Sequence, residues 1–481
     1  MTPALALLPC LVVIFGVLVM RWSGLWSAAA AFATATILWA SGTFSPFETV
    51  ALWHAFLDGA LLSALVASVI VPGLAYVEIC RRAGSLDAIG GVITAMNLNP
   101  PRAVIVVVVG VGVMLESLTG FGVSLLVSVP LLLTLVSRER AVPLALIGMS
   151  LMPWGALSVA ALLGAEIAGL PIDTLAQKTL TTSGPVAFAL SLVCLFFSSE
   201  RGTLWFALIS GSALIIGLTL TTYAVGVEVA GVGGGLFVIL LATAIAPDPA
   251  RVWRAIAATP IRLLILLIAV VIFQKAAISV LAVFEIAPAV STGRVSFSIL
   301  SSPGLALAAT AILGLVFWRQ SSTGTAFPSL GQYMFSKSWR PLLTTLTFLT
   351  TARLLVETGG IGSLASAVAE VGAYPALAIT ALLAGVGAYV TGSAVPSAAL
   401  FMPNAALVGE GLGELALFAA IQHSAAGHTA MASLPIIAIL LAAMPAPQPN
   451  EESKALRWGL ILAAAWLAIV IATGWVQLSW R

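Results

Sequence analysis

Long, nearly continuous apolar runs recur along this 481-residue chain. They lack the strict residue-by-residue alternation, over about 10 positions, that strands of a membrane barrel show. A helix needs about 20 apolar residues to cross a bilayer, so with short loops the pattern predicts roughly 12 to 14 spanning helices. The expected fold class is therefore an all-α polytopic membrane protein, built as a single integral membrane unit. The first run, Pro3 to Met20, has no basic stretch before it and is followed by Arg21. That order predicts a retained span rather than a signal peptide.

Two places interrupt the plain apolar helices. One is Leu115-Glu116-Ser117-Leu118-Thr119-Gly120-Phe121-Gly122-Val123-Ser124, inside a run from Ala103 to Leu135. The other starts at Tyr389-Val390-Thr391-Gly392-Ser393-Ala394-Val395-Pro396-Ser397 and continues to Asn404. Each follows a Gly-Val-Gly (Gly110 to Gly112, Gly385 to Gly387), has Thr-Gly at its centre and is followed by a proline, Pro130 or Pro403. The pattern predicts a pseudo-repeat with two broken or re-entrant segments: residues 1–320 with the 115–124 break, and 321–481 with the 389–404 break. The polar stretch Trp318 to Arg340 is expected as a cytoplasmic loop between these parts.

Lipid cannot satisfy the backbone groups that a break releases, so a break at membrane depth persists only where protein or a water-filled cavity surrounds it. Paired breaks point to the central site of a transporter. The half-helix that restarts after each break aims free N–H groups and a positive dipole end at the cavity. Thr119, Ser124, Thr391, Ser393 and Ser397 add hydroxyls, which suits a small carboxylate. Close packing of small residues is the alternative explanation of either break alone.

Composition narrows the class further. Hydrophobic residues make up 60% of the chain and charged residues 8%, against roughly 25% charged in soluble proteins. Too few charges remain to cover a water-soluble body of this size. The net charge of +2 is small and dispersed, which does not suit nucleic-acid binding. Arg21, Arg81, Arg82, Arg102, Arg138, Arg140, Arg201, Arg251, Arg254, Arg319, Lys337, Arg340, Lys454 and Arg457 fall in alternate loops if the N-terminus lies outside. The three cysteines, Cys10, Cys80 and Cys194, have neither metal nor disulfide spacing.

Charges within the apolar runs are functional candidates by default. Glu116 adjoins the first break; a carboxyl there that gains and loses a proton could couple transport to a proton gradient. Arg353 and Glu357, spaced i,i+4, share a helix face. Arg353 could grip a substrate carboxylate through two parallel N–H bonds, or the two could form a structural pair. Glu357, His423 and His428 are further proton-coupling candidates; the two histidines could line the cavity, one of them carrying a proton. Their spacing, with no carboxylate nearby, predicts no metal site. Arg262 and Lys275 are expected to snorkel to the interface. Glu166 is a reserve candidate.

The first break, Glu116 to Gly122, resembles the Glu-X-X-Ala-Gly-Phe-Gly signature of the L-lactate permease family. Pro153 to Lys178 is similar to that family's next segment, and Gly385 to Leu400 to its Thr-Gly-Ser segment. Glu116, Gly120, Phe121, Gly122, Thr391, Gly392 and Ser393 match by motif. The resemblance implies a bacterial inner-membrane, multi-pass carrier of L-lactate or related 2-hydroxymonocarboxylates such as glycolate, driven by proton symport. The run Ala394-Val395-Pro396-Ser397 and the segment Ala425 to Met431 depart from the family pattern where substrate would sit. Another small organic anion (a sulfonate or dicarboxylate), or cation/proton antiport, is therefore the alternative function. The expected partners are the anion, protons or Na+, and membrane lipid, with a homodimer compatible with the sequence. No cofactor is expected. The chain has no His-Glu-X-X-His, Gly-X-Ser-X-Gly or Walker A motif, so it is not expected to be an enzyme.

Overall fold

The computed structural model describes residues 2–44, 48–120, 122–197, 203–258, 261–284, 288–319, 327–446 and 448–480. Phe121, Arg201 and residues 320–326 of the expectations above lie outside them.

The described chain is almost wholly helical, with one two-stranded antiparallel ribbon in which Val290 faces Phe297. Among the described residues, eight helices are long and apolar enough to cross a bilayer: Thr49–Arg82, Pro100–Thr119, Ile172–Phe197, Leu204–Ala224, Val227–Ala244, Arg262–Leu281, Ala373–Thr391 and Glu451–Ser479. Two bent pairs bring the total to 10 if each is one span. The protein is thus an all-α, multi-pass membrane protein. The count falls below the 12 to 14 expected from length because much apolar sequence lies in shorter helices, including Gly24–Ala40, Val123–Leu135 and Pro303–Val316.

Both anticipated breaks are present. Thr119 ends one helix, Gly120 adopts φ 65°, ψ −163°, Gly122 adopts φ 74°, and a new helix runs Val123–Leu135. Only glycine occupies the Gly120 conformation at low cost. In the second half, Thr391 ends a helix, Gly392 turns left-handed at φ 75°, and extended Ser393 caps the helix Ala394–Gly411.

Each of these breaks is followed by another. Arg138–Gly148 and Met152–Ala168 meet at 50°, and Leu415–Ala432 and Leu434–Ala442 meet at 45°. In chain order the breaks lie at 120–122, 149–154, 392–393 and 433. The same series, an apolar helix, a glycine break, a half-helix, a further helix and a bend, therefore runs through residues 100–168 and again through 373–442.

At the second break the backbone is strained. Ala156, Leu157 and Ser158 all have positive φ, between 49° and 58°, and each such residue costs about 1–2 kcal/mol. The Ser158 hydroxyl donates to the Val227 carbonyl at 2.8 Å, tying this turn to the start of the Val227–Ala244 helix.

The expected loop at Trp318 to Arg340 is corrected. Phe327–Glu357 is one helix, packed along Thr49–Arg82. It starts with a proline in its first turn, where no N–H is needed. Its polar residues, such as Gln332, Ser336 and Lys337, are exposed rather than looped out. Lys275 is also corrected: instead of snorkelling it donates to the buried Glu228 at 2.5 Å.

Candidate functional site

All four breaks meet at one cavity of about 630 Å³. Gly120 and Glu116 reach it from the first break, Met152, Gly155 and Ala156 from the second, Thr391, Gly392 and Ser393 from the third, and Pro435 and Ile436 from the fourth. The Phe327–Glu357 helix closes another side with Arg340, Pro341, Thr344 and Thr345. Bending, rather than any one straight helix, builds this space. A Cβ on Gly120 would sit 2.6 Å from the Ala156 Cβ, so the first two breaks touch.

Two charged side chains line the cavity, Glu116 and Arg340. Glu116 is buried. One of its oxygens accepts from the Ser124 hydroxyl at 2.8 Å, and the other faces the Gly122 N–H at 3.4 Å. Its carboxyl thus sits at the N-terminus of the Val123–Leu135 half-helix, where the dipole and free N–H groups favour an anion. The protein fills that anion position with its own side chain. Among the described residues, no carboxyl takes the matching place at the Ala394–Gly411 half-helix; there the Ser393 hydroxyl accepts from Val395 N–H at 3.3 Å, and the helix start opens on the cavity. Arg340 is exposed at the cavity, 5.1 Å from the Trp339 ring centre.

Most of the remaining candidates lie off the cavity lining. Thr119 and Ser397 turn inward to the carbonyls of Leu115 and Ala384. Ser124 and Gly122 stand behind Glu116 and do not line the cavity. Thr391 lines it while bonding the carbonyls of Gly387 and Ser393.

Arg353 and Glu357 belong to a separate cluster. Arg353 donates to Asp58 at 2.6 Å and stands 3.7 Å from Glu357. Arg294 joins both acids, at 3.1 and 3.5 Å, and Thr292 donates to Asp58 at 2.5 Å. His54 lies 3.1 Å from Arg294. This cluster fastens the 290–297 ribbon to two long helices, and none of its residues lines the cavity. Glu166, at the far end of its helix, accepts from the Ser296 N–H of the same ribbon.

His423 and His428 are buried away from the cavity as well. The His428 Nδ1–H donates to the Ser150 carbonyl at 2.6 Å, and its Nε2 lies 2.8 Å from the Ser183 hydroxyl. The His423 Nε2–H donates to the Pro153 carbonyl at 3.1 Å. Both rings therefore satisfy carbonyls that the second break takes out of the helix ladder. Among the described residues, no group of His, Cys, Asp and Glu is arranged to hold a metal ion.

Sequence reasoning missed Arg340, which it placed in a loop, and the second and fourth breaks. Pro153, Gly155 and the Ser433-Leu434-Pro435 start signal were the available clues.

No curated protein matches the chain. The family model described as L-lactate permease matches residues 265–478. That span takes in Arg340 and the third and fourth breaks, and leaves the Glu116 segment outside. Over that span, 214 of the 481 residues, the chain is similar to the L-lactate permease family.

Proposed function

We propose that the protein is a secondary transporter that carries L-lactate, or a related 2-hydroxymonocarboxylate such as glycolate, together with a proton. One observation carries the reading: one cavity is lined by four helix breaks, an acid and an arginine. Its volume lies within the ordinary range for small-molecule sites, with space for water beside a three-carbon acid. The family match supports lactate as the substrate.

In this reading Arg340, rather than Arg353, meets the substrate carboxylate, since Arg353 is committed to Asp58. A guanidinium binds a carboxylate through two parallel N–H bonds. The open N-terminus of Ala394–Gly411 and the Thr391 hydroxyl serve the other polar groups of the substrate. Glu116 holds the coupled proton. The strained turn at Ala156–Ser158 and the glycines at 120 and 392 are the points about which helices swing to open the cavity to the other side.

Orientation follows from charge. The Thr49–Arg82 and Phe327–Glu357 helices are antiparallel, with Arg82 beside Ser329 and Asp58 beside Arg353. Arg81, Arg82 and Lys337 lie toward one end, which the positive-inside rule assigns to the cytoplasm. The N-terminus is then outside.

The test is counterflow of labelled L-lactate in proteoliposomes, with glycolate, pyruvate, a sulfonate and a dicarboxylate as competitors. Lactate and glycolate should compete, and an inward proton gradient should drive accumulation. If neither competes, the substrate assignment is wrong; if a sodium gradient alone drives accumulation, the coupling assignment is wrong.

A further inference from the structure

Ser124 has one hydroxyl proton and two acceptors. Its Oγ lies 2.8 Å from Glu116 Oε2 on one side and 2.9 Å from the Met149 sulfur on the other. All three side chains are buried. Glu116 belongs to the first break, Ser124 opens the half-helix that follows it, and Met149 is the first residue of the second break. One short chain of atoms thus spans both breaks in this half of the protein.

The two acceptors correspond to the two states of Glu116. As a carboxylate, Glu116 accepts and Ser124 donates to Oε2. When a proton arrives, an O–H bond forms on Oε2 and the new donor needs an acceptor. Ser124 Oγ can accept it provided its own hydrogen turns elsewhere, and the thioether sulfur, a weak acceptor, stands where that hydrogen would go. The rotation breaks no covalent bond, and the only proton added is the one on Glu116. Without the sulfur, the protonated state leaves one buried donor unsatisfied, an arrangement native structures avoid.

We propose that Ser124 and Met149 form a hydroxyl relay that lets Glu116 take up the transported proton and signals its protonation to the bend at residues 149–158. The proposal rests on the reading of Glu116 as the coupling group. Ser124 and Met149 are positioning residues: neither lines the cavity.

Among the described residues packed around it, Glu116 is the titratable group that reaches this place. The segment Val113–Thr119 packs against Val123–Leu135, Ala230–Ala244 and the 152–154 turn, which contain no titratable side chain. It also packs against Gly155–Ala168, whose Glu166 is held at the far end by Ser296. The Thr49–Arg82 helix contributes His54, Asp58, Tyr76, Glu78, Cys80, Arg81 and Arg82, none of which lines the cavity; Asp58 and Glu78 are bound to arginines. Arg340 lines the same cavity.

The experiment compares wild type, Met149→Leu, Ser124→Ala and Ser124→Thr in proteoliposomes. Gradient-driven lactate accumulation is measured against pH beside lactate counterflow. In parallel, the carboxylic-acid infrared band is titrated in detergent, with Glu116→Gln identifying the Glu116 contribution. Met149→Leu conserves volume. It should move the half-point of both the band and the accumulation toward acid, by about 0.5–1 pH unit for one neutral hydrogen bond lost. Ser124→Ala should lower accumulation further relative to counterflow, and Ser124→Thr should restore the wild-type profile. Coincident profiles for wild type and Met149→Leu would overturn the relay while leaving Glu116 as the coupler. A wild-type protein whose accumulation ignores the proton gradient would instead overturn the reading beneath it. Should Ser124→Ala fail to fold, Met149→Leu alone decides.

Discussion

Asp58 and Glu116 are both buried carboxyls on apolar helices, yet the protein surrounds them in opposite ways. Asp58 faces two guanidiniums, from Arg294 and Arg353, and a threonine hydroxyl. Glu116 is met by a serine hydroxyl and a backbone N–H, both neutral. A carboxyl clamped by two cations is committed to its ion pairs and ties elements together. A carboxyl with neutral donors and an open cavity before it can exchange a proton at modest cost. The first kind of site is a fastening, and the second is suited to coupling. Sequence alone singles out Glu116 for its place beside a break and leaves Asp58 unremarked; what separates the two is the company each keeps.

The largest expected effect is at the fastening. Asp58→Asn removes the charge that both arginines share but keeps the shape. Breaking a buried ion pair by removing one partner costs about 3–5 kcal/mol. The lower end is expected, because Glu357 stays 3.5 and 3.7 Å from Arg294 and Arg353. Thermal unfolding in detergent should show a clearly lower midpoint, with loss of protection in the 290–297 ribbon by hydrogen exchange. An unchanged midpoint would mean that the cluster is not a fastening.

Next in size is Gly120→Ala, at the meeting of the first two breaks. The φ of 65° with ψ of −163° is a region that alanine enters at about 1–3 kcal/mol. The new methyl would also meet the Ala156 Cβ. Counterflow should fall sharply, with a smaller drop in unfolding midpoint than for Asp58→Asn. Full counterflow would show that the close approach of the two breaks is not needed for transport.

The membrane class and the first and third breaks were legible in the sequence for a local reason: Thr-Gly flanked by apolar helix is a signal contained in a few residues. The second and fourth breaks carry weaker punctuation, Met152-Pro153-Trp154-Gly155 and Ser433-Leu434-Pro435, within otherwise continuous helical runs. The Arg353–Glu357 pair was visible from its i,i+4 spacing. Its principal partner was not, since Asp58 lies 295 positions away. Nor does spacing reveal that His423 and His428 serve backbone carbonyls, because the Ser150 and Pro153 groups become available only once the helix bends. Arg340 was hidden by the polarity of its neighbours, which suggested a loop where an exposed helix face stands. In each of these cases the missing information was tertiary: which groups a bend releases, and which distant side chain reaches them.

The smallest expected change in stability, and the sharpest contrast with Asp58, is at Glu116→Gln. The amide oxygen can accept from Gly122 N–H, and the amide NH2 can donate to Ser124, whose hydrogen then turns to Met149. Every partner of the carboxyl remains satisfied, so stability should change by less than about 1 kcal/mol, the scale of one neutral hydrogen bond, and the unfolding midpoint should barely move. The same substitution removes the exchangeable proton and holds the relay in the arrangement of the protonated acid. Proton-driven accumulation should be lost while lactate counterflow persists. A large fall in the midpoint would place Glu116 with Asp58 as a structural charge. Undiminished accumulation would remove it from coupling, whatever its stability.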